Sequence, residues 1–456
     1  MTFFVIGCSE SFLDTENLTK KDSQSFPQKS SDAAQVLTAA YKVLVVNNNP
    51  RHSILLVSEA MSDDRLGAGG LDDRFIRAIA NYKKDEENMY LEPWRKYYNG
   101  VNRANFLLSS IDQVAWDNDE QKNRTAGEAH FLRAYFYFDL ARMFGTVPLI
   151  LDPVPQNNPK ASPEELFGQI ALDLKTAIEL IPAVKYQNID KNTLGHATKW
   201  AAEALLARAF LFYTGYYNKA GITMADGTEL TKAQVVGYVD DCVANSGHGL
   251  VSDFRNLWLY TASPDYSYTK DNSLSWVDEN DNQETIFSIK HASTNGQGRN
   301  LDVLFFGLRY QEPSDYTNCF PFGQGWGCVT VNRTTFEQWP DNDLRKKASI
   351  LDVDDPSEQI AYFDDGDHQM EDTHLFQKKY IPINVNKDDG SGIQGYWAKR
   401  YNMGPDYASE NYQDKVVIRY ADLLLMGAEL GSANAQVYLD QVRNRVNSPI
   451  RFPDFP

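Results

Sequence analysis

Residues Gly127 to Ile150 read GEAHFLRAYFYFDLARMFGTVPLI. The stretch predicts a helix with rings and aliphatic side chains on nearly every face. Phe131, Tyr135, Phe138 and Arg142 follow one stripe, and Leu132, Phe136 and Met143 follow another. A helix that is apolar on most sides has to be covered on most sides. Seventy-five residues later a related stretch appears, AEALLARAFLFY from Ala202 to Tyr213, matching at Glu128/Glu203, Ala129/Ala204, Arg133/Arg208 and Ala134/Ala209. Repeated helical units that cannot bury their faces alone predict a stacked helical array.

The rest of the chain bounds this reading. With 456 residues there is material for one large domain or two to three ordinary ones. The longest apolar runs fall far short of the roughly 20 residues a membrane-spanning helix needs. The net charge of -18 repels phosphate backbones and argues against nucleic-acid binding. It favours solubility but names no ligand.

Val5-Ile6-Gly7-Cys8 has the form of a lipobox, in which the cysteine becomes the lipid-modified first residue of a bacterial lipoprotein. The charged start and most of the apolar core of such a signal are missing, so the true signal is expected to begin upstream. Cys319 and Cys328 lie nine apart among glycines and prolines and are a possible disulfide outside the cytoplasm. Cys242 falls in a helical pattern and reads as a buried thiol.

Helical periodicity starts at Asp32 and returns near 54–61, 94–111, 127–145, 164–181, 197–217 and 231–246. Asp63 to Leu71 reads as a loop. From Phe254 to Pro340 the texture changes. Sixteen of 87 residues are aromatic, against 12% for the chain, and glycine, asparagine and serine separate them. Large rings on irregular backbone are where binding sites usually sit. Glu284 to Lys290 alternates like a short strand. Helical pattern resumes at 416–430 and 433–446. The expected layout is a clipped signal at 1–8, a tether at 9–31, a helical scaffold from 32–253 and 416–456, and an irregular ligand-binding insertion at 254–415.

Taken in order, six segments resemble the SusD/RagB family of outer-membrane lipoproteins from Bacteroidetes. They are the start at Cys8 to Asp14, WRKYYNGVNRAN at Trp94 to Asn105, the helix and G-x-V-P turn at Glu128 to Pro148, Ala197 to Tyr213, IRYADLLLMGAE at Ile418 to Glu429, and YLDQVRNRV at Tyr438 to Val446. The resemblance covers nearly the whole chain. The sequence departs from the family at the clipped signal. It also lacks, before Pro456, the family's E-R-x-x-E-L-x-x-E-G-x-R segment, which puts the capping of the last helical pair in doubt.

The resemblance implies a mostly α fold, a tetratricopeptide-like repeat scaffold carrying a large aromatic-rich insertion. It also implies lipid anchoring of Cys8 in the outer membrane, with display on the cell surface. Glu10, Asp14 and Glu16 resemble the surface-export signal of lipoproteins of that phylum. The implied function is capture of oligosaccharides and their delivery to a TonB-dependent transporter of the SusC type, without cleavage. In the RagB branch the ligand is a peptide.

Sugar recognition needs flat apolar faces for the C–H side of a ring and polar groups for its hydroxyls. Trp276, Trp326, Tyr310 and Tyr316 are the rings expected to supply the faces, with Trp326 exposed by its flanking glycines in GQGWG. Phe75 and Tyr82 add a second face, with Arg65, Asp72 and Arg74 as polar partners. Trp94, Trp200, Trp258 and Trp339 are assigned to packing. No cofactor or metal is expected. The His368, Glu371, Asp372 and His374 group reads as a polar loop, and Asp352, Asp354 and Asp355 lack the glycine and glutamate of a calcium loop. The Gly67, Gly69 and Gly70 cluster follows no strand and is no nucleotide fingerprint. Two rival readings remain, a helical-barrel glycosidase with a carboxylate pair and a scaffold that binds only protein.

Overall fold

The computed structural model describes residues 26–45, 53–68, 70, 74–84, 88–154, 157–293, 298–310, 314–362, 370, 373–404, 406–408 and 410–446. Helices come first along the chain. They are α1 (Ser30–Val45), α2 (Ile54–Ala60), α3 (Arg74–Ala80), α4 (Leu91–Ser110), α5 (Asp119–Phe144), α6 (Pro163–Leu180), α7 (Lys199–Tyr216) and α8 (Lys232–Asn245). The last pair, α15 (Tyr420–Glu429) and α16 (Ala435–Asn444), returns to them from the far end of the chain. Helices α1, α4, α5, α6, α7 and α8 pack each on the next, and α15 closes against α7 and α8. The result is the stacked helical array that the repeat predicts.

The deciding stretch explains the order. In α5 every residue from Phe131 to Ala141 is buried, so the helix needs neighbours all round. Asn118 opens it by accepting the backbone N–H of Gln121, and Gly145 closes it at φ +69°, a conformation only glycine adopts cheaply. The repeat partner α7 is equally enclosed, from Trp200 to Ala207. The matched arginines do matched work. Arg133 holds Asp173 of α6 with two hydrogen bonds, at 2.6 and 2.9 Å, and Asn105 of α4 at 3.0 Å. Arg208 reaches the carbonyl of Val417 at 2.8 Å and Asp422 of α15 at 3.6 Å. Glu128 accepts from Tyr41 of α1 at 2.8 Å and lies 2.7 Å from His196. Each repeat thus sets one arginine against a neighbouring helix, and Arg133, the buried one, holds there because it is paired.

Between α8 and α15 lie short elements. They are α9 (Ser267–Asp271), α10 (Asp302–Phe306), α11 (Asp315–Asn318), α12 (Arg333–Gln338), α13 (Leu344–Ser349) and α14 (Tyr396–Tyr401). The strands of the chain are β1 (Arg65–Gly67), β2 (Gly221–Thr223), β3 (Glu229–Thr231), β4 (Thr285–Ile289), β5 (Leu308–Arg309), β6 (Gln324–Gly325), β7 (Val329–Val331), β8 (Ile350–Asp352), β9 (Leu375–Gln377), β10 (Asn384–Asn386), β11 (Ile393–Gly395) and β12 (Lys415–Arg419). All pair in twos, antiparallel except β5 with β6. This part has its own core around Phe254, Trp258, Tyr260, Tyr266, Phe322 and Trp397. A further cluster joins α2 and α3 to Phe305, Phe306 and Cys328.

Four expectations are corrected. Helix was expected from Val416, but Lys415–Arg419 is a strand paired with β4, and helix begins at Tyr420. The run Val416-Val417-Ile418 is β-branched and prefers the pleated surface. The Asp63 to Leu71 loop contains β1, which pairs with β7, and α3 went unread. The tether ends sooner than position 31. Phe26 packs on the scaffold core, and Gln28 and Ser30 bond to the backbone of Ala115. Finally, Cys319 and Cys328 are buried thiols in different core clusters, not a bridge. Cys242 is buried as expected. Residues 1–25, with Cys8, lie outside the described residues.

One carboxylate ties the two parts together. Glu284, fully buried just before β4, accepts the Val251 N–H at 2.9 Å, Arg419 at 2.9 Å, and Arg445 just beyond α16. Its carbonyl accepts the Tyr420 N–H at 2.7 Å. Glu284→Gln should therefore lower the unfolding free energy by roughly 3–5 kcal/mol, because two arginines lose their buried counter-charge. Urea unfolding checks this, and a change under about 0.5 kcal/mol, the level of an ordinary surface substitution, contradicts it.

Candidate functional site

The sequence GYWAKRYNMGPDYASEN, Gly395 to Asn411, builds most of the candidate site. Strand β11 ends at Gly395, and α14 starts at once with Tyr396 and Trp397. A Cβ at position 395 would lie 2.3 Å from Oε1 of Glu410, so only glycine lets that carboxyl fold back beside the strand end. Tyr316 of α11 and Tyr407 face the same depression, together with Asn384, Glu410 and Asn411. The depression is small and encloses only about 20 Å³. Tyr316 and Tyr407 are 37% and 39% exposed, so both rings are open to a ligand.

Behind these rings the packing is tight. Trp276 meets Tyr396 edge to face at 5.4 Å and Trp397 at 6.3 Å, and Trp397 stacks on Tyr401 at 6.0 Å. Arg400 bonds Asp278 at 2.5 Å and the Tyr396 hydroxyl at 3.1 Å, which fixes the Tyr396 ring. Two buried polar atoms here have no partner among the described residues. Asn384 is buried, and its Nδ2 makes no hydrogen bond within the protein; the same holds for Nε1 of Trp397. Burial raises the Glu410 carboxyl above the usual carboxylate range. Rings at the rim and amides in the floor form a platform for an uncharged, hydroxyl-bearing ligand.

The expected site residues divide. Tyr316 lies in the site, and Trp276 supports it from behind. Trp326 does not. It packs edge to face on Phe305 at 4.9 Å, in the cluster of α2 and α3. The glycine beside it serves close approach rather than exposure, since a Cβ at Gly325 would lie 2.4 Å from Gly307. Tyr310 packs in the core of the 254–415 part and donates to the carbonyl of Phe322. Phe75 is core, buried beside Ile76 and Ile79. Arg65 is half-buried and committed to Glu59 at 2.9 Å and Gln377 at 2.7 Å. Tyr82 is 71% exposed and donates to the Met61 carbonyl at 2.8 Å, at the α2–α3 corner. Arg74 is exposed at the start of α3, and Asp72 lies outside the described residues.

Trp94, Trp200, Trp258 and Trp339 do pack against core clusters. Among the described residues, no three His, Cys, Asp or Glu side chains are grouped to hold a metal. Also among them, no helix is long and apolar enough to cross a membrane. Sequence reasoning missed Tyr396, Tyr407, Glu410 and Asn384. The signal was present in the four rings among glycine, proline and asparagine at 395–411, beyond the window of aromatic enrichment.

The fold agrees with that of the known proteins that the chain matches. A SusD-like family model, described as starch-binding and associating with the outer membrane, matches residues 11–211. SusD-like protein P2 of Formosa agariphila is 23% identical, covering 97% of this chain and 79% of its own. A SusD-like protein of Bacteroides ovatus is 28% identical over 66% of this chain and 50% of its own. Among solved structures, a laminarin-binding SusD-like protein superposes with a TM-score of 0.70 at 23% identity, covering 93% of this chain and 86% of its own. Surface glycan-binding protein A from Bacteroides thetaiotaomicron, in complex with laminarihexaose, gives 0.71 at 18% identity, over 93% and 85%. The architecture is that of the surface glycan-binding and SusD-like proteins. Residues 11–211 are thus similar to the SusD-like family, and the fold of the chain is similar to that of the solved SusD-like proteins.

Proposed function

We propose that this protein binds a neutral oligosaccharide on the platform of Tyr316, Tyr396 and Tyr407. The observation that carries the reading is the pairing of two open rings with amide and carboxyl groups in one small depression. Rings exposed at the rim suit a chain of sugar rings that extends past the site at both ends. The laminarin and laminarihexaose named for two structural relatives support a glycan over a peptide. The site's role is binding. The buried carboxyls Glu279 and Asp414 lie elsewhere, and Lys290 already meets Asp414.

Each stacking ring should contribute roughly 0.5–1.5 kcal/mol beyond its buried area, by analogy with aromatic pairs. Tyr316→Ala and Tyr407→Ala should each weaken binding up to about tenfold and leave the fold intact. Calorimetry with soluble neutral oligosaccharides, laminarihexaose among them, measures this, with chromatography of the mixture to look for cleavage. Unaltered affinity in both folded variants overturns the platform, and release of shorter products overturns the assignment as a binder.

The reading extends to the cell. The Cys8 lipid would anchor the protein at the outer-membrane surface, where it would hand oligosaccharide to a SusC-like TonB-dependent transporter. The lipobox and the family resemblance support this. With a complete signal restored, the wild type should fractionate with the outer membrane and co-purify with such a transporter, and Cys8→Ala should be soluble. A Cys8→Ala protein that stays in the membrane fraction refutes the lipid anchor. A wild type that brings down no transporter refutes the handover.

A further inference from the structure

A space larger than that of the platform lies near the joint of the two parts. It lies under the connection from α6 to α7, residues 181–198, and holds about 210 Å³. An engineered cavity of about 150 Å³ already accepts a benzene ring, so this one has room for a single six-membered ring with substituents. Four separate pieces of chain wall it. They are the start of α5, the connection itself, His248 just after α8, and β4 with the residues before it.

The connection is held in place as a roof. Tyr186 donates its N–H to the Ser246 carbonyl at 2.8 Å, and Gln187 donates to the Gly247 carbonyl at 2.7 Å. Gly247 takes φ +74°, and a Cβ there would strike Gln187 at 2.2 Å. Lys191 pairs with Asp281 across the joint. Thus the cavity is built by specific contacts.

Its chemistry is selective. The wall is mainly apolar, through Ile181, Val184, Leu194 and Phe287, with polar groups between. Its two basic side chains already face carboxylates, Arg124 with Glu128 at 3.0 Å and Lys290 with Asp414. An anion would find both positive charges already compensated. His248 is buried in the wall beside the Tyr186 ring, 5.1 Å away. Its Nδ1 lies 2.9 Å from the Gln283 carbonyl, which can only accept, so Nδ1 carries the hydrogen. Its Nε2 is then a bare acceptor, and it makes no hydrogen bond within the protein. Burial pushes the ring down to about 4, so it is neutral at pH 7.

We propose that this cavity is a second binding site, separate from the platform, for one neutral sugar ring or a cyclic polyol of that size. The ring's apolar face lies on the aliphatic wall, and a hydroxyl donates to His248. The site stands independently of the platform, since none of the platform residues lines it.

The test uses the full chain and D-glucose, myo-inositol and D-glucuronate as probes, read by saturation-transfer NMR and calorimetry. Glucose or inositol should bind, and glucuronate at least about tenfold more weakly. Leu194→Trp, which fills the space from the roof, should abolish binding. His248→Phe, which keeps a ring but removes the acceptor, should weaken it about tenfold. Thermal unfolding confirms that each variant folds, and where one does not, the other decides. Tyr316→Ala should bind these probes as the wild type does. No binding of either neutral probe to the wild type, equal binding of glucuronate, or full binding in the folded variants overturns the proposal. Loss in Tyr316→Ala alone would assign the probes to the platform and overturn it too.

Discussion

A single buried carboxylate, Glu284, holds the two halves of this protein in register. A charge with no exposure to water is costly unless it is paired and fully hydrogen-bonded, and Glu284 meets that condition only through partners far apart in sequence. Arg419 comes from the strand that starts the last helical pair, Arg445 from just past its end, and the Val251 N–H from the exit of α8. The pairing of β4 with β12 therefore cannot shift without stranding charges. Phe287 in β4 then inserts against Phe131 and Tyr135 of α5, at 5.0 and 6.0 Å. The irregular part is thus bolted to the most enclosed helix of the scaffold.

This anchoring explains how a site on short elements can be definite. The platform rings stand on α11, on α14 and near Tyr407, each only a few residues of regular structure. Their positions come from what lies behind them: Trp276 and Trp397 edge to face, Arg400 across Asp278 and Tyr396, and glycine at 395. The cavity under the 181–198 connection has a different origin. It exists because the scaffold and β4 meet at a joint that side chains do not fill completely.

Much of the helical scaffold was legible in the sequence, because the 3.6-residue periodicity and the match of α5 with α7 are local signals. The strand at 415–419 was misread since a run of apolar residues bounds helix and strand alike, and only the partner β4 decides between them. The candidate site was legible only in part. Aromatic enrichment pointed to the region between the scaffold helices, and Tyr316 and Trp276 fall at the platform. Phe75 looked similar in sequence and is buried core, and Trp326 and Tyr310 are half-buried against core clusters. Whether a ring faces solvent depends on contacts with residues tens to hundreds of positions away, such as Trp326 on Phe305 against the α2–α3 cluster. No spacing rule records those contacts.

The central claim is that the ligand lies on the platform formed by α11, α14 and the residues around Tyr407. Hydrogen exchange followed by mass spectrometry tests it most directly, once calorimetry has selected a neutral oligosaccharide that binds. The account predicts slowed exchange in backbone amides of 314–324, 393–404 and 406–411, with 53–84 unaltered. Protection confined to 53–84, or spread over the scaffold helices with none at 393–411, would contradict it.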